Sequence, residues 1–585
     1  MTRRAPALLL ALILAVAALL SGCRSSAGDG AITPVAPPTQ IAPQQSATEG
    51  EYAAADYYAP DAPADYEDEI MPAAPDLSDW SAPADSARPG SNEGSMVSGD
   101  LTYGVVVGDG APINPFQNTY RDFYAVNQLV FESVMEFDER MRPTPMLAER
   151  WEVSGNDWTF TLRGDVQFHT GELLSAYDVV ASYEAVLSNQ STIWYELVQS
   201  IDRMEAQDDR TLRVRSRGGM GYMLLYAMTF PVAQRSSVAL EQPSGTGPFW
   251  YMRYDTGVAL RLEANPNWWR IPTDAIHSVV VRCYKSIKSA MVGLELKEVD
   301  ALATDYPQAS LSRSLTDRLT RDYSTQTYEC IVPNLRSDIL SDLAVRQALM
   351  YAIDRTTLGE NNYAGMVQES EVPVIPGSWL YEPQATRFGY NPERAQQLLL
   401  DAGWNDLDQD GVLEKSIGGE TRRLSLGLIT YDRGTTVTRS EAVQAIARQL
   451  KLVGFEIITE TKPLDKALSD IDKGKFDLAL IGYELSATPN LAFLLASNAK
   501  SSGNYARYSS SVMDGWLHDA FVADTDEALK TAMSKVQLQV VEDLPILGLF
   551  FRAGVFISRA QLAGLKGNRQ YDVLRGLATV TRWEG

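Results

Sequence analysis

The residues that commonly carry chemistry do not form a complete catalytic motif in this sequence. Ser497 and Lys500 match the S-x-x-K pattern of penicillin-binding enzymes, but no K-T-G follows, and Ser502 with Asn504 lies too close to form a separate wall. Residues 245–247 begin like a dinucleotide-binding loop, yet Pro-Phe-Trp follows where a third glycine and a helix start are needed. The P-loop, G-x-S-x-G and H-E-x-x-H motifs do not occur. We predict a protein that is not an enzyme and has no cofactor. A hydrolase with an unrecognised carboxylate pair is an alternative that no motif supports.

One acidic run has the spacing of a metal site. Three alternating aspartates precede Gly411, as at the start of a calcium-binding loop, and a glutamate follows at the ninth position. The twelfth position, which usually supplies a bidentate carboxylate, is Ile417. A solvated acidic turn is therefore the favoured interpretation, and calcium is the weaker one. The candidate ligands are Asp406, Asp408, Asp410 and Glu414.

Composition excludes several classes of function. The 585 residues include 51 Lys and Arg against 75 Asp and Glu, a net charge of -24, which argues against nucleic acid as a partner. A mean hydropathy of -0.17 excludes a polytopic membrane protein. Three histidines and three cysteines, far apart in sequence, exclude a zinc finger or a disulfide framework. Cys283 and Cys330 are interpreted either as a bridge or as two separate thiols.

The N-terminus has the features of an export signal. Arg3 and Arg4 precede an apolar run from Ala5 to Leu20, which is short for a membrane-spanning helix. The segment ends in Leu-Ser-Gly-Cys23, which resembles a bacterial lipobox, where the signal is cut before the cysteine and the cysteine receives lipid. We predict a lipoprotein signal peptide over residues 1–23 and a lipid-anchored, extracytoplasmic chain. A plain signal peptide with an incidental cysteine is the alternative.

Two further regions follow the signal. Residues 24–99 contain ten prolines, 16 alanines and 13 acidic residues, too few apolar groups to offset the entropy of folding, and are predicted to be a disordered acidic tether. After this segment, strand-like runs such as LTYGVVVG and WTFTLRGDVQF mix with amphipathic helices, which predicts an α/β fold. Ser175 with Asp178 forms a capping box, and Asn391-Pro392 with Gly403 brackets a second helix. A third helix begins near Asp342, and a fourth ends at Gly454.

Several motifs occur in a fixed order over about residues 100–585, and the most specific of them runs from Pro145 to Ser182. The others are Ile113-Asn114-Pro115, Asn127 to Glu132, Pro243 to Phe249, Glu263 to Trp269, Leu340 to Arg355, Asn391 to Trp404 and Gly474 to Tyr483. In this order the motifs resemble the family 5 extracellular solute-binding proteins, the peptide and nickel type that serve ATP-binding-cassette (ABC) importers.

The resemblance implies a two-lobed α/β fold of the periplasmic-binding-protein type, of the large class with an extra subdomain in lobe I. A ligand is enclosed as the lobes close about a hinge. Residues 100–333 with 544–585 would form lobe I, and residues 334–543 lobe II, with crossings near Asn334 and Pro545. The implied function is the capture of oligopeptides or a related organic solute and its delivery to ABC permease subunits by a monomer. A ligand-sensing surface lipoprotein on the same fold is the alternative.

Most signature positions of this family are expected to be structural. Core packing and ion pairs account for Trp151, Phe168, Asp178, Arg346 and Asp354 more readily than ligand contact does. Ligand contacts are instead expected on loops at the cleft, where aromatic walls tolerate varied side chains. The candidate ligand-binding residues are Asn114, Tyr124, Asn127, Trp250, Asn334, Trp379, Tyr483, Glu484 and Ser486.

One departure from the family bears on the substrate. Peptide-binding relatives usually carry an aspartate, four residues past the glycine of the Gly-aromatic pair, that neutralises the peptide ammonium; here Ser486 takes that place. Because a buried ammonium without a carboxylate is disfavoured, either Glu484 replaces the anchor or the ligand is held elsewhere or lacks that charge. A non-peptide solute such as a sugar, an opine or a metal chelate is the alternative. Nickel ranks low because the histidines are dispersed.

Overall fold

The computed structural model of the protein describes residues 99–583, except 109, 271–275, 433–437, 500–502, 560, 564, 566–568 and 571. All of them fall in a unit that spans residues 35–585. The predicted signal peptide, Cys23 and residues 24–98 of the predicted tether lie outside the described residues. Within the described part of the chain, no helix combines the length and the apolar character needed to cross a membrane.

Strands and helices are mixed along the chain, as in an α/β fold. The strands are β1 (Gly99–Val106), β2 (Met135–Phe137), β3 (Pro143–Pro145), β4 (Ala148–Ser154), β5 (Asp157–Leu162), β6 (Ile201–Ala206), β7 (Thr211–Ser216), β8 (Phe249–Asp255), β9 (Ala259–Ala264), β10 (Ile276–Tyr284), β11 (Ala301–Thr304), β12 (Leu319–Pro333), β13 (Val367–Glu369), β14 (Glu414–Ile417), β15 (Glu420–Arg423), β16 (Ser425–Asp432), β17 (Glu456–Pro463), β18 (Leu478–Glu484), β19 (Leu547–Ser558), β20 (Gln561–Ala563) and β21 (Thr581–Trp583). The helices are α1 (Arg121–Val130), α2 (Ala176–Leu187), α3 (Ile193–Val198), α4 (Leu224–Ala227), α5 (Ile287–Glu295), α6 (Leu343–Ala352), α7 (Arg355–Tyr363), α8 (Pro392–Asp401), α9 (Thr438–Lys451), α10 (Leu464–Asp472), α11 (Ala492–Leu495), α12 (Ser511–Val522) and α13 (Asp526–Asp543).

An 11-stranded mixed sheet organises the described chain. Its order is β17-β16-β18-β12-β19-β11-β1-β10-β9-β8, and β13 also pairs with β19. The two long strands near the middle, β12 and β19, are antiparallel, with Tyr328 opposite Phe551. A separate four-stranded antiparallel sheet has the order β4-β5-β7-β6.

The helices predicted from the sequence are present, and their caps explain where they begin. At the start of α2, the Ser175 amide donates to the Asp178 carboxylate at 2.9 Å. Asp342 accepts from the Ala344 amide at 3.0 Å before α6, and Asn391 accepts from the Arg394 amide at 2.8 Å before α8. Each bond satisfies a backbone donor that the helix itself leaves unpaired.

Two sequence predictions are refined by the structure. The run WTFTLRGDVQF is not one strand: β5 ends at Leu162, and Gln167 forms only an isolated bridge with Leu173. Gly164 and Asp165, residues that favour turns, separate the two pieces. Cys283 and Cys330 are free thiols rather than a bridge.

The signature residues make structural contacts. Asp178 also accepts from the Arg235 amide at 2.8 Å. The Arg346 guanidinium donates to the Leu340 carbonyl and the Asp543 carbonyl, both at 2.7 Å, which ties α6 to the end of α13.

A buried carboxylate, Glu132, joins three segments that are far apart in sequence. It is 1% exposed and accepts from the Trp269 indole at 2.8 Å, the Thr246 hydroxyl at 2.9 Å and the Trp268 indole at 3.1 Å. Burial raises the pKa of Glu132 to about 7, although the bond from Trp269 and the charge of Arg270 act to lower it.

Glutamine at position 132 is expected to remove a pH dependence of stability. The folded pKa of about 7 lies above the ordinary value for a glutamate, so near neutral pH the native state holds a proton that the unfolded state releases. Stability therefore falls as the pH rises from the ordinary pKa to the folded one. Between pH 5 and pH 8, the unchanged protein should lose up to about 3 kcal/mol of unfolding free energy relative to Glu132→Gln.

Urea unfolding across this range measures the difference, and Glu152→Gln, at an exposed position, is the matched control. Parallel pH profiles for the unchanged protein and Glu132→Gln would contradict the assignment.

Candidate ligand site

A cavity of about 690 Å³, part of it open to solvent, lies beside the central strands of the large sheet. Strands β12 and β19 contribute Gln326 and Phe551 to its wall. The other lining residues are Phe137, Met141, Tyr226, Pro373, Val374, Ile375, Ser378, Trp379, Leu380, Leu485, Ser486, Ala487, Thr488, Pro489, Asn490, Leu491, Phe493, Met533 and Arg569.

Trp379 joins two sides of the cavity. Its indole donates to the Tyr226 hydroxyl at 2.9 Å, and its amide donates to the Arg140 carbonyl at 2.8 Å. The Tyr222 ring meets the indole edge-on, with centroids 6.1 Å apart, and the Arg142 guanidinium lies 5.6 Å from the indole centroid. Both the ring and its polar edge are therefore fixed by neighbours.

Further contacts hold the same segments together. The Gly221 amide donates to the Phe521 carbonyl at 2.8 Å, and Arg142 forms an ion pair with Asp526 at the start of α13. A Cβ on Gly221 would lie 2.0 Å from the Ala523 carbonyl oxygen, so this close approach requires glycine.

The segment after β18 forms the opposite part of the wall. In the amide orientation that satisfies its neighbours, Gln326 donates to the Leu485 carbonyl at 3.1 Å and accepts from the Ala487 amide at 3.3 Å. The Ser486 hydroxyl accepts from the Thr488 amide at 3.2 Å. Strand β12 thereby fixes the loop that carries Ser486.

Arg569 brings a cationic group to the wall. Its Nε and Nη2 donate to one oxygen of Asp572, at 3.1 and 2.9 Å, and its guanidinium lies 4.2 Å from the centroid of the Phe137 ring. Asp572 is 1% exposed, and its other oxygen accepts from the Arg569 amide. The aspartate and the ring hold the guanidinium in one orientation.

The remaining wall is mostly apolar. Val374, Leu380, Leu491, Met533 and Phe551 are all buried. Among the described lining residues, Arg569 is the only basic side chain, and none is an aspartate, a glutamate or a histidine. Burial raises the pKa of the Tyr226 phenol, so this group stays neutral at physiological pH.

Two of the nine residues predicted to contact ligand, Trp379 and Ser486, line this cavity. Two more lie on the adjacent strand β18. The Tyr483 hydroxyl donates to the Gly503 carbonyl at 2.8 Å, and Glu484 accepts from the Thr327 hydroxyl at 2.8 Å. Neither is among the lining residues.

The other five predicted contact residues lie away from the cavity wall. The Asn114 amide donates to the Val238 carbonyl at 2.8 Å and the Leu240 carbonyl at 2.7 Å, and Asn334 donates to the Phe476 carbonyl at 2.9 Å. The remaining three are packed in the interior or against it: Tyr124 against Trp194, Asn127 in α1, and Trp250 edge-on to His169.

The acidic turn partly matches the calcium prediction. Ligand atoms of Asp406, Asp408 and Glu414 lie within 4.8 Å of one another. Asp410 instead forms an ion pair with Arg423, whose guanidinium also lies 3.4 Å from Glu414. A fixed positive charge thus occupies the neighbourhood in which a cation would bind, and calcium at this turn stays an untested prediction.

Several lining residues were not identified from the sequence. Phe137, Tyr226, Phe551 and Arg569 belong to no local motif, and the fold brings them together from distant parts of the chain. Apolar residues in strands and helices are usually core residues, so their type alone gave no signal.

Comparison with protein families gives one extended match. A sequence model described as bacterial extracellular solute-binding proteins, family 5 Middle, matches residues 142–505, more than half of the chain.

Curated proteins of similar sequence cover most of the chain. Oligopeptide-binding protein AppA of Bacillus subtilis is 24% identical over 511 residues, which cover 83% of this chain and 91% of that protein. Heme-binding protein A of Haemophilus influenzae is 25% identical, with 72% and 82% covered. The nickel-binding periplasmic protein of Escherichia coli is 26% identical, with 59% and 69% covered.

Solved structures show the same fold. AppA of Bacillus subtilis in complex with a nonapeptide has a TM-score of 0.57 at 21% identity and covers 83% of this chain and 99% of that one. The unliganded open form of MppA, a periplasmic murein tripeptide binding protein, has a TM-score of 0.70 at 17% identity, with 81% and 96% covered. The predicted α/β fold of the periplasmic-binding-protein type is confirmed, while the predicted lobe boundaries stay a prediction.

The bond between Trp379 and Tyr226 is expected to contribute to stability as a pair. Trp379→Phe and Tyr226→Phe each remove one partner, and the double variant removes both. Because removing one partner leaves a buried polar group unpaired, the cycle should give a coupling energy of about 1 kcal/mol.

Thermal or urea unfolding of the four proteins measures this coupling. Tyr222→Phe combined with Trp379→Phe is the control pair. Its effects should be additive, because Tyr222 and Trp379 touch through their rings and Tyr222→Phe keeps the ring. Additive effects of the Trp379 and Tyr226 substitutions would contradict the bond.

Proposed function

We propose, starting from the fact that this chain belongs to the family 5 bacterial extracellular solute-binding proteins, that it is the substrate-binding lipoprotein of an ABC importer. Members of this family bind solutes and are not enzymes. In this proposal the chain captures an oligopeptide or a related organic solute in the cavity beside Trp379 and delivers it to a membrane permease. The cavity, whose largely apolar wall is drawn from distant parts of the chain, is the observation that carries the proposal.

Capture would occur by closure of two lobes, residues 100–333 with 544–585 and residues 334–543. The cavity wall draws on both segments, with Tyr226 and Arg569 from the first and Trp379 and Ser486 from the second. Several polar contacts join the same two segments, among them Trp379 to Tyr226 and Arg142 to Asp526. A ligand that contacts both lobes favours the closed state by its extra contacts there.

The substrate is assigned from the cavity rather than from the relatives, whose names cover oligopeptides, heme and nickel. An apolar wall with few polar groups is compatible with varied apolar side chains. None of the described lining residues is a histidine, so the usual nitrogen ligand for nickel is missing from the wall. An organic solute is therefore favoured over a metal ion.

Lipid on Cys23 would anchor the chain outside the cytoplasm. Acyl chains contribute about 0.8 kcal/mol per buried CH₂, so two or more chains would keep the protein on the membrane. The acidic, proline-rich segment of residues 24–98 would place the binding unit, which begins with β1 at Gly99, at a distance from the lipid surface.

Closure is tested by small-angle scattering of the ligand-free protein titrated with a peptide digest, both as prepared and after N-terminal acetylation. The radius of gyration should fall on binding. Arg142→Gln removes a partly exposed ion pair with Asp526, so the apparent Kd should rise about two- to fivefold. Arg150→Gln, an exposed substitution, is the control and should leave the Kd unchanged. Binding of peptides without any decrease in the radius would contradict the proposed mechanism.

Anchoring is tested with Cys23→Ala in a bacterial host supplied with labelled palmitate. The unchanged chain should incorporate label and sediment with membranes. Cys23→Ala should incorporate none, whereas Cys283→Ala should be labelled like the unchanged chain. Label retained by Cys23→Ala would exclude this cysteine as the lipid site.

A further inference from the structure

We propose that the cavity selects an apolar solute that carries a carboxylate and no free ammonium, so that among peptides it takes those with a blocked N-terminus. This inference rests on the proposed function, because it treats the same cavity as the ligand site. It goes beyond that function by fixing the charge of the ligand.

The described wall of the cavity offers no counter-charge for an ammonium. No aspartate or glutamate is among the described residues that line the cavity. Glu484, the nearest acidic residue in sequence to Ser486, accepts from the Thr327 hydroxyl and does not line the wall. A cation enclosed by apolar side chains loses its hydration without gaining a counter-charge, which strongly opposes binding.

Asp572 is the carboxylate that forms an ion pair with Arg569. One of its oxygens accepts two guanidinium N–H groups, and the other accepts the Arg569 amide. The residue is 1% exposed and does not line the cavity. Asp572 is therefore used in orienting Arg569 and does not offer its charge to a ligand.

The Arg569 guanidinium has a nitrogen, Nη1, that can donate to a ligand. Asp572 occupies Nε and Nη2, and the Phe137 ring lies against the guanidinium, with 4.2 Å from its central carbon to the ring centroid. Among the described residues, no hydrogen-bond acceptor is found for Nη1 of Arg569. This nitrogen carries two N–H donors, and a charged acceptor such as a carboxylate forms the strongest bond with them.

Position 486 carries a serine rather than a charged residue. Ser486 lines the cavity, and its hydroxyl already accepts from the Thr488 amide. A serine adds no charge, so Arg569 stays the single cationic group among the described residues of the wall. The positive charge that Arg569 gives the cavity is thus opposite to the negative charge that would pair with the ammonium of a free peptide N-terminus.

The test compares three probes by calorimetric titration of the full-length chain in detergent, freed of bound solute by unfolding and refolding. The probes are N-acetyl-Leu-Leu with a free carboxylate, Leu-Leu with a free amine, and N-acetyl-Leu-Leu amide. N-acetyl-Leu-Leu should bind at least about tenfold more tightly than either of the others, because each of them lacks the charge-assisted bond or adds an unpaired ammonium.

A charge placed at position 486 should reverse the preference. Ser486→Asp adds a carboxylate to the wall and keeps an acceptor for the Thr488 amide, so Leu-Leu should gain about tenfold or more relative to N-acetyl-Leu-Leu. Ser486→Asn has nearly the same shape without the charge and should keep the original preference.

A paired variant tests Arg569 without leaving a buried charge. Arg569→Gln with Asp572→Asn removes both charges together, and N-acetyl-Leu-Leu should then bind no better than its amide. Asp572→Asn alone should keep the preference for the carboxylate.

Equal or tighter binding of Leu-Leu by the unchanged chain would overturn the inference and leave the proposed function intact. The inference also fails, and the proposed function stands, if none of the three probes binds while the chain as purified, before unfolding, carries another solute. If no probe binds and no solute is found, both the inference and the proposed function fail.

Discussion

The pairing of two long antiparallel strands, β12 and β19, is the interaction on which the rest of the structure depends. These strands lie side by side near the middle of the 11-stranded sheet, and β12 also pairs with β18. Gln326 on β12 and Phe551 on β19 face the cavity, while Glu329 on β12 is fully buried and bonded to Arg439. A slip of one residue in this register would exchange the two faces of the strands. The cavity wall and the buried ion pair would then be lost together.

Enclosing a solute requires that every buried polar group has a partner. The wall meets this requirement largely with apolar side chains and with polar groups that are bonded to the protein itself, such as the Trp379 indole and the Ser486 hydroxyl. Among the described lining residues, the Nη1 donors of Arg569 and the Ser378 hydroxyl, for which no partner is found, are polar groups that a ligand can satisfy. A wall of this kind tolerates varied apolar groups and discriminates by charge, since an unpaired charge costs far more than an imperfect apolar contact.

Local sequence signals were sufficient for several helices of the fold but not for the cavity. The helices after Ser175 and Asn391 were predicted because capping residues act on the next few amides, a short-range effect that sequence records directly. Trp379 and Ser486 were identified because the two-lobed fold that the family resemblance implies was expected to place their loops at the cleft. Asn114 and Asn334 were proposed as contacts on the same grounds, yet their amides bond to backbone carbonyls and hold loops in place.

Arg569 shows why the remaining site could not be predicted. Its partners are Asp572, three residues away, and Phe137, more than four hundred residues earlier, so only the folded chain brings the ring and the guanidinium together. The wall residues on β2, α4 and β19 are likewise apolar positions that sequence assigns to the core. Long-range assembly, rather than any local pattern, creates the cavity.

The most direct test of this account is native mass spectrometry of the full-length chain, extracted in detergent from cells grown in rich medium, followed by denaturation to identify the released solute. The account predicts a bound organic solute of low mass in the unchanged protein. It also predicts that Ala487→Trp, which fills the cavity, loses this solute, whereas Leu452→Trp at an exposed position retains it. An empty protein, or a solute that Ala487→Trp still binds as well as Leu452→Trp does, would contradict the assignment of this cavity as the ligand site.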